Sequence, residues 1–174
     1  NNQYSQAIAH YRHGNLTSAY QLMNKLSQAI PSDPFYHEFR GDILLSMAKA
    51  NAAAAAYEEA LELRPNSPQI QLNLGRSLIA INDKKRLQRA IEVITLAKNS
   101  EPKWAFIHRQ LAIAYGRAGR IALADLSLAE EAILRGDEKQ AARLAKRVLT
   151  QADLSDDLAH RASDILFRFG KAAE

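Results

Sequence analysis

A spacing constrains this chain more than any single residue does. Pro31 and Pro65 stand 34 residues apart, and the segment 34–65, PFYHEFRGDILLSMAKANAAAAAYEEALELRP, reads as two apolar-periodic helices joined by a short break. Small residues fall where two antiparallel helices would cross, at Gly41, Ala53 and Ala60, with the large Leu44 and Tyr57 among them. At such a crossing the small side chains let the backbones approach, and the large ones fill the volume left between ridges. One hairpin of this kind cannot bury its second face, so copies must stack.

Copies are present. The stretch before Pro31 supplies Tyr4, Ile8 and Tyr11, a break at His13-Gly14-Asn15, then Ala19, Met23 and Leu26. Downstream, Gly75 and Leu78 fall 34 residues after Gly41 and Leu44, whereas Ala90, Ile94, Ala97 and Pro102 fall 37 after Ala53, Tyr57, Ala60 and Pro65. Three residues are therefore inserted between Ile81 and Arg89. Loops accept insertions more readily than helix interfaces, so a lengthened turn around Asn82-Asp83-Lys84 is expected. In the next copy Ala112 matches Gly75, Ala124 and Leu128 follow Ala90 and Ile94 by 34, and Gly116 to Gly119 make the turn. The helix 121–135 is also spaced as the first helix of a hairpin completed by Ala141 and Ala145. Ser155-Asp156-Asp157 then opens a last amphipathic helix with Leu158, Ala162, Ile165, Leu166 and Phe169 on one face, as a terminal cap requires.

This order of small, large and breaker residues at a period of about 34 resembles the tetratricopeptide repeat. The resemblance implies an all-α fold, a right-handed superhelical αα-solenoid of about ten helices. One domain, 1–174, is expected, with hairpins at about 3–30, 34–64, 67–100, 103–135 and 124–150 and a capping helix at 155–169. Composition agrees, since 47% of the 174 residues are hydrophobic and only five are proline, with alanine and leucine prominent. No apolar run approaches the roughly 18 residues of a membrane span. Cysteine is absent, which removes disulfides and thiolate chemistry.

The net charge is +4, with two basic clusters, Lys84, Lys85, Arg86 and Arg89, and Lys139, Arg143, Lys146 and Arg147. Both read as solvated helix faces, because interleaved aromatics and a continuous basic stripe, which nucleic-acid binding would need, are missing. His37-Glu38-Phe39-Arg40-Gly41 begins like the zinc motif HExxH, but Gly41 occupies the second ligand position, so His37 reads as part of an exposed helix start. His10 and His13 lack a third ligand nearby and read as surface residues. Glu58-Glu59 and Glu130-Glu131 point about 100° apart on a helix and form no acid/base pair. No nucleophile elbow or phosphate-cradling glycine loop occurs, so no catalytic, cofactor-binding or metal-ligating residue is assigned.

What remains is surface. In a tetratricopeptide superhelix the first helices of the hairpins line the concave face. Projected onto this chain, that face takes Tyr4, Ile8, Tyr11 and Arg12, then Phe35, Glu38 and Asp42, then Arg76 and Ile79, then Arg109, Ile113 and Arg117. Aromatic residues beside arginines suit recognition of a protein or peptide partner. Tyr4 and Ile8 stand where chaperone-tail receptors carry a carboxylate clamp, which argues against that role.

Two stretches, DPFYHEFRGDILL at 33–45 and RQLAIAYGRAGRIALADLSLAEEAILRGD at 109–137, resemble the C-terminal repeat region of bacterial periplasmic zinc metalloproteases of the BepA/YfgC type. The three-residue lengthening before Ala90 and the helix running into Leu134-Arg135-Gly136-Asp137 are similar to that region as well. The alanine run 52–56 departs from it. The resemblance implies a client-binding and regulatory arm of a protease in outer-membrane protein quality control. It would be periplasmic, touching its own peptidase domain, outer-membrane clients or assembly machinery, with zinc held upstream. The sequence begins NNQYSQAIAH, with neither an initiator Met nor an export signal, and is expected to be a segment preceded by a signal peptide and an HExxH domain. The alternative is a stand-alone scaffold for a partner helix or peptide. RNA binding is disfavoured, since base-reading repeats are absent.

Overall fold

The computed structural model describes residues 2–170, and among them are ten helices and no strand. They are α1 (Asn2–Arg12), α2 (Leu16–Ala29), α3 (Pro34–Ser46), α4 (Ala50–Leu63), α5 (Pro68–Ile81), α6 (Lys84–Ser100), α7 (Ala105–Arg117), α8 (Ile121–Leu134), α9 (Glu138–Leu149) and α10 (Asp156–Phe169). The chain forms two compact units, one ending at Ile81 with α1–α5 and one starting at Asn82 with α6–α10.

The helix starts follow from local chemistry. Asp33 caps α3 by accepting from the Phe35 backbone N–H at 3.0 Å, and Pro34, whose missing N–H is no loss there, occupies the first turn. Asn15, Asp83 and Asp137 cap α2, α6 and α9 in the same way. The turns that follow α1, α3, α5 and α7 each contain one left-handed residue, Gly14 (φ 75°), Ala48 (58°), Asn82 (60°) and Gly119 (75°).

These turns locate the insertion. Gly14, Ala48 and Asn82 keep the 34-residue interval, so the three extra residues come after the turn at Asn82. The expected longer loop is not found. Instead α6 starts at Lys84 and runs 17 residues against 14 in α4 and α8. Three residues are close to the 3.6 of one helical turn, so α6 gains a turn at its N-terminus while Leu87, Ala90, Ile91 and Ile94 stay buried.

In the first unit, α1, α2 and α3 enclose Ala7, Ala19, Met23, Leu26, Tyr36 and Ile43. Tyr4 and Tyr11 meet Phe39 edge to face at centroid distances of 5.9 and 5.4 Å. The α3–α4 crossing is closer, as the small residues require: Ala53, Tyr57 and Ala60 are fully buried, with the Tyr57 ring against the Gly41 backbone. In the second unit α8 packs on both α7 and α9, the double service its sequence implied. Beyond α9, Ala162, Leu158, Ile165 and Leu166 of α10 close over Leu126, Ala145 and Val148.

Candidate functional site

Helices α1, α3 and α5 of the first unit, with Tyr57 of α4, line an open polar cleft of about 370 Å³. Its hydrogen bonds form a chain. Tyr11 Oη and Ser46 Oγ lie 2.9 Å apart, the Tyr57 hydroxyl donates to Asp42 Oδ1 at 2.6 Å, and the Asn73 amide donates to the same oxygen at 3.3 Å. Arg76 in turn donates to Asn73 Oδ1 at 3.2 Å. Burial raises the Asp42 carboxyl above its usual range, against the Tyr57 hydrogen bond and the Arg76 charge, and burial followed by the Asp42 charge raises the Tyr57 phenol strongly. Glu38, one turn before Asp42, is raised by burial and then by the Asp42 charge. The cleft thus presents hydroxyl, amide, carboxylate and guanidinium groups within one depression, donors and acceptors alike. It has no nucleophile–base pair, and no chemistry beyond binding follows from it.

A second construction recurs along the chain. His37 Nε2 donates to the Pro31 carbonyl oxygen at 2.8 Å, and its Nδ1 lies 2.7 Å from Glu59 Oε2. His108 repeats this with Pro102 at 2.8 Å and Glu130 at 2.9 Å. Each histidine thereby ties the segment before its helix to the helix after it. Gln71, at the equivalent position between them, donates to the Pro65 carbonyl oxygen at 2.8 Å, while its buried Oε1 has no partner among the described residues. His37 is only 6% exposed, which corrects the expectation of an exposed helix start. Its neighbour Arg40 joins Glu59 at 2.6 Å and Ser27 at 3.0 Å.

In the second unit three largely buried carboxylates organise α7, α8 and α9. Glu131 accepts from Arg109 Nε at 2.9 Å and from its Nη2 at 2.5 Å, beside a cleft of about 280 Å³ reaching Arg135 and Gln140. Asp125 takes a two-pronged hydrogen bond from Arg147 and a third from Gln151 at 3.2 Å. Arg147, read from sequence as part of a solvated basic face, is therefore tied down. Burial alone would raise the Glu130 carboxyl, but the hydrogen bond from His108, the Lys98 ammonium and Arg161 together outweigh it and hold it at about 2.

The structure gathers only part of the sequence-derived surface set. Tyr11, Asp42 and Arg76 share the first-unit cleft. Tyr4 is half-buried against Tyr36 and Phe39, while Ile8 and Arg12 border a different depression with Ser5 and His13. Phe35 is half-exposed under the Arg64 guanidinium, 5.0 Å from its ring centroid. Ile79 is 5% exposed and is not among the residues that line the first-unit cleft. Arg109 and Ile113 lie on α7, and Arg117, at its end, borders a separate cleft beside the start of α6. Sequence reasoning missed Leu45, Ser46, Tyr57, Gln69 and Asn73 as cleft residues. A signal existed for two of them: Gln69, Asn73 and Arg76 follow the i, i+4, i+7 spacing of one helix face. Among the described residues no three His, Asp or Glu side chains converge to hold a metal ion, and no helix is long and apolar enough to cross a membrane.

The family model described as TPR repeat matches residues 41–79. No curated protein matches the chain significantly in sequence. Solved structures do match in fold. A double mutant of MamA from strain RS-1 superposes with a TM-score of 0.75 at 16% identity, over 99% of this chain and 94% of that one. MamA of Desulfovibrio magneticus RS-1, from residue 41 to its end, gives 0.73 at 15% identity, over 99% and 95%. A thermophilic TPR protein of Thermus thermophilus gives 0.61 at 21% identity, over 95% and 98%. The fold is a tetratricopeptide-type αα-solenoid.

Proposed function

We propose that this chain is a non-catalytic protein-binding repeat domain and that the α1–α3–α5 cleft receives a segment of its partner. The observation that carries the reading is the convergence of Tyr11, Asp42 and Arg76, 65 residues apart in sequence at their extremes, on one open depression. A cleft rich in both donors and acceptors matches the alternating C=O and N–H groups of a peptide. Photo-crosslinkers at Tyr11 and Arg76 should capture a partner protein in cells, and crosslinkers at Glu62 and Lys49 should not. Capture at the second pair alone overturns the assignment.

At a finer level, the chain serves as the client-binding and regulatory arm of a periplasmic zinc metalloprotease. The support is the resemblance carried by residues 33–45 and 109–137, and zinc would belong to the upstream peptidase domain. A free-standing scaffold accounts for the same cleft without that parent. The upstream reading frame decides between them: a signal peptide and an HExxH domain support the protease arm, and their absence leaves the scaffold. In either case the purified chain should bind no stoichiometric zinc and cleave no casein.

A further inference from the structure

A cleft of about 860 Å³ in the second unit lies between the first turn of α6 and the α7–α8 turn. Lys84, Lys85, Arg117 and Arg120 line it, Leu87 and Gln88 contribute from α6, and no carboxylate takes part. The Arg120 guanidinium donates to Gln88 Oε1 at 3.0 Å, which holds the turn beside the helix. Leu87 is 5% exposed and gives the cleft an apolar floor beneath a cationic rim. Neither Lys84 nor Lys85 has a hydrogen-bond or ion-pair partner among the described residues.

This arrangement runs against the local interest of the helix. Lys84, Lys85 and Arg86 fill the first turn of α6, where the helix end is itself positive, and no other helix among the described residues starts with three cations. Each such cation is unfavourable at the positive end of a helix. The extra turn of α6 is what brings these lysines to the cleft. Arg86 is answered by Asp83 at 3.8 Å, whereas Lys84 and Lys85 break the local rule without a side-chain partner among the described residues, and such residues mark places where a sequence serves something other than folding.

We propose that this cleft binds an acidic segment of a partner protein, with carboxylates at the lysine and arginine rim and an aliphatic side chain over Leu87. The proposal deepens the reading of the chain as a protein-binding domain by assigning it a second, charge-selective subsite. A volume near the upper end of the roughly 300–1,000 Å³ range of ligand pockets is large for a lone phosphate and admits several side chains. Nucleic acid fits less well, because no aromatic side chain lines the cleft to stack on a base.

The test uses the full chain and a short fluorescein-labelled peptide of alternating glutamate and leucine. Controls are the same peptide with glutamine for glutamate and a labelled oligothymidylate of equal charge. Fluorescence anisotropy should show the acidic peptide bound, the glutamine peptide bound at least about tenfold more weakly, and affinity falling as salt rises. Lys84→Glu with Lys85→Glu should weaken the acidic peptide by about tenfold or more, while Lys139→Glu with Lys146→Glu, the same charge change elsewhere, should leave it unchanged. The first pair should also keep or raise the urea midpoint, since it relieves the first turn of α6, so lost binding cannot be read as lost folding. Oligothymidylate binding as tight as the peptide, an equal effect of both charge reversals, or no peptide binding would overturn the subsite. Crosslinking at Tyr11 and Arg76 is independent of all three outcomes and would stand or fall separately.

Discussion

Gly41→Ala tests the packing logic of the repeat at one methyl group. A Cβ built on Gly41 would lie 2.7, 2.8 and 2.9 Å from Cε1, Cζ and Cδ1 of Tyr57. Carbon atoms pack at about 3.5–4.0 Å, so the ring would have to retreat by roughly an ångström. Tyr57 is fully buried and its hydroxyl donates to Asp42 at 2.6 Å, which leaves it nowhere to go without loosening that bond. Overpacking of this kind costs about 1–3 kcal/mol, and weakening a hydrogen bond to a charged group adds up to about 1.5–3. Alanine is the better helix former by about 1 kcal/mol, which opposes the loss. The net expectation is destabilisation by about 2 kcal/mol, read as a lower urea midpoint in far-ultraviolet circular dichroism. In a Tyr57→Val background, which has no atom beyond Cγ, the obstructing ring atoms are gone and only the propensity gain remains, so the same substitution should become neutral or stabilising by up to about 1 kcal/mol. Stabilisation by Gly41→Ala alone, or additivity of the two changes, would refute the claim that the crossing needs glycine.

Substitutions at three further positions test other links. Ala48→Gly, at a left-handed turn position outside the helices, should stabilise by about 1 kcal/mol in thermal melts, because the Cβ clash that alanine carries there disappears. His37→Leu removes the donor to the Pro31 carbonyl and one of two partners of Glu59, which keeps Arg40, and should cost about 0.5–1.5 kcal/mol, whereas His37→Gln, which copies Gln71, should cost less. The Glu130 carboxyl sits at about 2, below its usual 4.5, so its stabilising share is complete above that usual value and is lost as pH falls toward about 2. The stability difference between wild type and Glu130→Gln should therefore shrink across that window in acid titrations followed by circular dichroism.

The fold is legible because the repeat forces small residues to recur. Gly41, Ala53 and Ala60 announce a close crossing wherever they lie in a chain of this periodicity, and the first hairpins appear where their spacing puts them. The insertion reads as a loop because Asp83-Lys84-Lys85-Arg86 is as polar as a turn, and an exposed extra turn of helix has the same composition. The positive φ at Asn82, in step with Gly14 and Ala48, is a backbone fact that composition does not carry. His37 misleads for a related reason: a polar residue in the first turn is exposed by default. Its recurrence does stand in the sequence, since His37, Gln71 and His108 each follow a proline by six residues, and His37 and His108 each precede a glutamate by 22. The surface set is legible only in part, because a projected face does not say which of its side chains the neighbouring helix covers. Ile79 is covered and Tyr4 half-covered.

An alanine-rich interface explains why so many buried polar links are needed. The inward face of α4 is Ala53, Ala54, Ala56, Tyr57 and Ala60, and side chains this small leave little relief to fix how far the helix slides or turns. Sliding by one residue moves the backbone about 1.5 Å and rotates it about 100°, exchanging one alanine for another at several positions and turning Glu58 inward. The same slip breaks Tyr57–Asp42, His37–Glu59 and Arg40–Glu59 together, at about 1–3 kcal/mol for each group left buried and unpaired. Arg109–Glu131, His108–Glu130 and Arg147–Asp125 act in this way on α8 in the second unit. Polar links therefore reinforce the register that the fit of Tyr57 against Gly41 selects. Asp42 and Tyr57 consequently hold register and line the cleft at once, so a binding defect from changing either of them is also a packing defect. Tyr11 meets Ser46 at the exposed rim, and Arg76 reaches Asn73 from an exposed position on α5. Tyr11 also packs its ring on Phe39, so Arg76 is the position at which loss of a partner is best separated from loss of the fold.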